Sequence, residues 1–193
     1  MQHSAFNIAV FASGTGSNAR NIILHFAHSE LARVALVVSN NADAGVLGIA
    51  EEHHIPAHIV GRKEFKEPDL FLPVLQEKKI DFIVLAGFLW LIPPYLVKAY
   101  HQRMVNIHPS LLPKYGGKGM HGMHVHEAVF KAGDTESGVT IHYVNDHYDE
   151  GQIIFQKTVQ LAPGDNPQRI AAKVLAAEHE YFPKVVEECL LAL

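Results

Sequence analysis

The chain holds one cysteine, Cys189, among 193 residues. A single thiol excludes an internal disulfide framework and suits a reducing compartment. Its apolar C-terminal surroundings read as those of a buried, idle thiol rather than a nucleophile. Charge is sparse: Asp, Glu, Lys and Arg make up 19% of the residues, and the net charge is -4 at pH 7. No basic face offsets that balance, which argues against a nucleic-acid partner. No apolar run approaches the roughly 18 residues of a membrane span, and no basic segment followed by a long apolar core opens the chain. A cytoplasmic protein with neither membrane nor nucleic-acid partners is therefore expected. Histidine is abundant, at 14 residues, but no H-E-x-x-H spacing occurs. His121, His124 and His126 surround a glycine and have no cysteine beside them, so no metal is expected.

What is present is hydrophobic: 48% of the residues, enough for a chain of this length to bury about two-thirds of its unfolded surface in one domain. The first half alternates strand and helix. Strands are expected at 6–12, 33–39, 57–60, 81–86 and 103–107, and helices at 18–28, 44–54, 68–79 and 95–100. The strands are near-continuous Val/Ile/Leu runs, which means cover on both faces. The expected fold is α/β, a doubly wound and mostly parallel central sheet with helices on both faces. Beyond residue 115 the pattern changes. Gly116 to Gly122 holds four glycines and reads as a mobile loop. A helix is expected at 124–132, with strands at 138–145 and 152–161. A last helix opens at Asn166-Pro167, has its break at Pro183 and resumes to Leu193.

Two stretches carry chemistry. Ser13-Gly14-Thr15-Gly16-Ser17-Asn18 follows a strand and opens a helix. Glycines there let backbone N–H groups approach a phosphate, and the helix N-terminus adds partial positive charge. There is no Gly-Lys-Ser/Thr, position 19 is Ala, and Asn40 and Asn41 stand where a ribose-binding acid belongs. A single phosphate is favoured over a dinucleotide; the bland alternative is a tight turn with no ligand. The second stretch is Val105 to Pro113. Asn106 and His108 are two apart in a strand, so their side chains share a face, and they lie at the carboxyl end of that strand, where open α/β sheets bind ligands. Asp149 sits in a charged turn before a glycine. An amide donor, an imidazolium and a carboxylate make a workable set for attack on a carbonyl. A buried, hydrogen-bonded structural pair is the competing account of Asn106 and His108. The apolar loop Phe88 to Pro94, with Trp90, either buries against its own core or walls a slot for a flat heterocycle.

These residues resemble the folate-dependent formyltransferases. The likeness runs through SGTGSN at 13–18, VLAGF at 84–88, NIHPSLLPKY at 106–115, GVTIHYV at 138–144, D-x-G at 149–151 and AAEHEYFP at 176–183. The resemblance implies a Rossmann-like formyltransferase fold over 1–193, with a phosphate-binding half at about 1–100 and a catalytic, folate-binding half at about 101–193. It implies transfer of a formyl group from 10-formyltetrahydrofolate to the amine of glycinamide ribonucleotide, a step of purine biosynthesis. Asn106, His108 and Asp149 take the catalytic positions. Gly14, Thr15, Gly16, Ser17, Asn18 and Glu178 take the phosphate and nucleotide positions. Arg62, Leu89, Trp90, Leu91, Ile92, Val97, Val144, Asn145 and Asp146 are implied around the folate. Leu89-Trp90 stands where many relatives carry Met-Arg, and Glu150 follows the catalytic Asp where Gly is usual. The implied partners are small molecules, and a monomer or homodimer is expected. A formyltetrahydrofolate hydrolase, a methionyl-tRNA formyltransferase and a non-catalytic nucleotide-binding module are the alternatives. The first two carry extra domains, for which this chain has no expected room.

Overall fold

The computed structural model describes residues 5–193. Seven strands form one sheet: β1 (Phe6–Phe11), β2 (Ala32–Ser39), β3 (Ala57–Ile59), β4 (Phe82–Leu85), β5 (Met104–His108), β6 (Glu136–Tyr143) and β7 (Ile153–Gln160). Their spatial order is β3-β2-β1-β4-β5-β6-β7. The first five are parallel, while β6 runs antiparallel to β5 and β7 antiparallel to β6. From β1 the chain first builds outward through β2 and β3, then returns to place β4 on the other side of β1. The crevice at the carboxyl ends of β1 and β4 is thus the switch point at which such sheets bind ligands.

The period of two along β1 sorts the core into two layers. Ile8 and Val10 face one cluster, completed by Ile22 and Phe26 of α1 (Ser17–Phe26), Val46 of α2 (Gly45–Glu52) and Phe182 and Val186 near the C-terminus. Ala9 and Phe11 face the other, with Phe65 of α3 (Arg62–Lys66), Phe71 and Leu75 of α4 (Pro68–Glu77) and Leu96 of α5 (Pro94–Ala99). Both faces are therefore covered, as the unbroken apolar strands require. A third, smaller cluster joins Val129 of α6 (Met123–Ala132), Val139 of β6 and Val174 of the last helix, α7 (Pro167–Leu191).

Three elements differ from expectation. α3 has only five residues, too few to leave a periodic trace, and forms because Phe65 anchors it edge-on to Phe71 with ring centroids 5.4 Å apart. β6 begins at Glu136 rather than 138. The expected break at Pro183 is absent, and α7 runs unbroken through it. An interior proline removes one hydrogen bond and costs about 3 kcal/mol. Here Phe182, Pro183, Val185 and Val186 are all buried against the sheet, and packing on both sides of the proline holds the helix together. Cys189 is buried on the same face; burial pushes its thiol up and outweighs the opposing contact with Tyr143. Among the described residues no helix is long and apolar enough to cross a membrane.

Candidate active site

β5 delivers Asn106 and His108 to the carboxyl edge of the sheet, and both reach Asp149. The Asn106 amide donates to Asp149 Oδ1 at 3.4 Å, and His108 Nδ1 lies 3.4 Å from Oδ2. The backbone N–H of Gly117 donates to Oδ2 at 2.9 Å. On its other edge His108 Nε2–H donates to the Tyr115 carbonyl at 2.8 Å. With an acceptor facing each ring nitrogen, the doubly protonated ring satisfies both. Burial opposes ionisation of Asp149. The His108 ring and its charge and the Gly117 N–H outweigh it and hold the carboxyl far below the usual carboxylate range. The residue adopts a left-handed conformation, φ 57°, which Asp tolerates better than most side chains. Two residues on, Gly151 lies so close to the Tyr143 carbonyl that no side chain fits. That close approach pins the turn against β6.

β6 adds a residue that sequence reasoning missed. Asn106 is paired with His142 across the antiparallel ladder, and its amide donates to His142 Nε2 at 3.1 Å. His142 Nδ1–H donates to the Tyr143 carbonyl at 2.8 Å, which leaves Nε2 as the acceptor and orients the Asn106 amide. Strand register carries this pairing, and nothing in GVTIHYV announces it. Thr140, opposite His108 in the ladder, braces the segment after β5: its hydroxyl donates to the Ser110 carbonyl at 2.6 Å and accepts from the Leu112 N–H at 3.0 Å. The glycine-rich segment after Tyr115, expected as a mobile loop, forms a wall of the site and supplies the Gly117 donor.

At the switch point Gly16 precedes α1 with φ 82°, and a Cβ there would come within 2.8 Å of Val46. The first turn of α1 has no side-chain cap, so its N–H groups stay open to an anion. Ser13 ties this turn to the loop after β4, donating to the Gly87 carbonyl at 3.0 Å and accepting from the Leu89 N–H at 2.9 Å. Asn18 donates to Glu178 of α7 at 2.8 Å, and its own carbonyl oxygen is buried without a partner. Burial raises the Glu178 carboxyl; the Asn18 bond and the His108 charge oppose it without prevailing.

One cleft of about 940 Å³ takes in Gly14, Asn18, Leu89, His108, Asp149 and Glu178. The other residues expected around folate are arranged beside it. Trp90 packs against Phe65 and Phe88 at 5.6 and 6.2 Å, with the Arg62 guanidinium 4.7 Å above its ring. Ile92 is buried in the same cluster, on which Val97 and Val144 also pack. Leu91 and Asp146 are exposed, and Asn145 accepts from the His147 N–H at 3.0 Å. A separate open cavity of about 440 Å³ lies at the amino end of β1, lined by Asn7, Arg33 and Lys79. Its polar groups satisfy one another: Arg33 donates to Asn7 at 2.8 Å, and Asn7 to the Lys79 carbonyl at 3.0 Å. Among the described residues no group of His, Cys, Asp or Glu is placed to hold a metal ion.

An amide, an imidazole and a carboxylate at the open end of β5, beside the uncapped start of α1 at the switch point of a doubly wound sheet, can together stabilise charge and move a proton at a carbonyl. The chain belongs to the formyl transferase family, whose profile matches residues 6–186. It is 40% identical over 185 residues to the chloroplastic phosphoribosylglycinamide formyltransferase of Arabidopsis thaliana, covering 93% of this chain and 63% of that one. It is 35% identical over 185 residues to the phosphoribosylglycinamide formyltransferase of Haemophilus influenzae, covering 93% of this chain and 85% of that one. Among solved structures, the phosphoribosylglycinamide formyltransferase of Anaplasma phagocytophilum superposes with a TM-score of 0.87 at 36% identity, over 97% of this chain and 87% of that one. The chain spans about three-fifths of the length of the plant relative.

Proposed function

We propose that this protein transfers the formyl group of 10-formyltetrahydrofolate to the amine of glycinamide ribonucleotide, a step of purine biosynthesis. The observation that carries the reading is the Asp149 carboxylate, gripped by His108 and the Gly117 N–H in the same cleft as the uncapped start of α1. The half at about 1–100 supplies the phosphate cradle, with Gly14, Thr15, Gly16, Ser17 and Asn18 around the phosphate. The half at about 101–193 supplies the chemistry, and Glu178 faces the nucleotide. The folate lies along Leu89 and the adjoining apolar cluster, with Arg62 toward its acidic tail.

The neutral amine attacks the formyl carbon. Asn106 and His108 stabilise the oxyanion that forms, which takes the place of the Tyr115 carbonyl beside His108 Nε2. Asp149 pairs with the His108 ring on its Nδ1 side and orients it. Its depressed proton affinity makes it a weak base, so it passes the amine's proton on through water rather than holding it. Collapse of the tetrahedral centre breaks the bond to the folate nitrogen, which takes up a proton as it leaves. Fixing the nucleotide by its phosphate positions the amine for attack.

The test is a formyl-transfer assay with glycinamide ribonucleotide as acceptor. His108→Ala and Asp149→Asn are expected to fold normally and to lose roughly 10²–10⁴ in turnover. Formate release that does not require the acceptor would instead identify a hydrolase, and near-normal turnover in either variant would remove that residue from the mechanism.

A further inference from the structure

α6 turns Val125 and Val129 into the core, as its apolar spacing requires. His126, between them, is also buried, at 6% exposure, yet it lines the cleft. Its Nδ1 is sealed from solvent and has no hydrogen-bond partner. A native fold leaves few buried polar atoms unpaired, and a persistent one asks for a reason. His53 and His179 each have an unpaired buried nitrogen too, but neither lines the cleft. An apolar side chain at 126 would satisfy the packing without the unpaired atom.

We infer that His126 contacts the acceptor substrate, its Nε2 edge forming a hydrogen bond to the amine-bearing ribonucleotide from the α6 wall of the cleft. The inference rests on the formyl-transfer reading above. Placement selects the acceptor rather than the folate: α6 packs along α7, and α7 brings Val174 and Glu178 to the same cleft. The Asn18–Glu178 bond ties that wall to the phosphate cradle. Leu89 and the apolar cluster behind it belong to the other half of the site. Burial, and then the His108 charge, lower the proton affinity of His126. An uncharged ring meets an amine that gains positive charge during attack without repelling it.

The experiment measures steady-state formyl transfer with the two substrates varied separately, together with thermal unfolding. His126→Phe is expected to lower kcat/KM for the ribonucleotide about tenfold, the scale of one hydrogen bond. The KM for the formyl donor stays within about twofold, and Tm is unchanged or higher because the unpaired nitrogen is gone. His126→Gln places an amide where Nε2 stood and restores most of the loss; His126→Asn reaches only the Nδ1 position and does not. Wild-type kcat/KM in His126→Phe, a loss confined to the formyl donor, or equal behaviour of the Gln and Asn variants would overturn the inference. If His126→Phe is destabilised, the Gln and Asn variants decide the matter between themselves. Wild-type protein that fails to formylate the ribonucleotide sinks the functional reading itself, whereas active wild-type with indifferent His126 variants sinks only this contact.

Discussion

Asp149 shows how a buried acid is kept ionised. Desolvation works against its charge, yet the His108 imidazole and one backbone N–H together reverse the balance. Because its folded pKa lies below the unfolded value of about 3.9, it contributes stability above that value and loses it as pH falls further. Thermal unfolding followed from pH 6 to pH 3 should therefore show a shallower acid limb in Asp149→Asn than in wild-type. Glu178 has the opposite sign. Burial raises its folded pKa, so its ionised form costs stability at neutral pH, and that cost is relieved as pH falls. Glu178→Gln should raise Tm at pH 7.5 while weakening the acceptor's KM, a trade expected of a group kept for binding. A Tm below wild-type would show that the Asn18 bond outweighs desolvation.

Loops, more than strands, decide whether the site is competent. The turn into α1 depends on Gly16, whose positive φ and contact with the Val46 backbone leave no room for a methyl group. Gly16→Ala should cost at least about 2 kcal/mol, read as a lowered urea midpoint, and should abolish protection by a phosphate-bearing ligand. The segment after β5 is built the same way. Thr140 and Gln156 grip it from the sheet, Gln156 donating to the Leu112 carbonyl at 3.0 Å, and Gly117 closes it onto Asp149. At the edge of the second core layer, α3 meets the loop after β4, where Phe65, Phe88 and Trp90 pack together beneath Arg62. Trp90 here holds the Arg62 guanidinium, a cation from elsewhere in the chain, above its own ring.

Across the molecule, the cleft draws on β5, α1, α6, α7 and the loops after β1 and β4 at once, so ligand binding should stabilise the fold as one body. Glycinamide ribonucleotide at a hundredfold excess over its Kd is expected to add about 2.7 kcal/mol, or roughly 5–10 °C in Tm for a chain of this size. His108→Ala should keep that protection, because the turn into α1 is untouched, and a variant that loses it would place His108 in binding rather than chemistry. Much of this architecture was legible along the chain. Unbroken apolar strands meant a covered parallel sheet, glycines between β1 and α1 meant a tight turn into a helix, and Asn106 with His108 two apart at a strand end meant two side chains on one face of the sheet's carboxyl edge. Each of those signals lies within a few neighbouring residues, where periodicity and turn chemistry operate. The links that complete the site do not. Asn106 finds His142 through strand register, and Asn18 meets Glu178 across 160 positions. His126 faces the cleft only because α6 packs along α7. Those meetings depend on how whole elements settle against one another, and the energy that settles them is spread over the entire core.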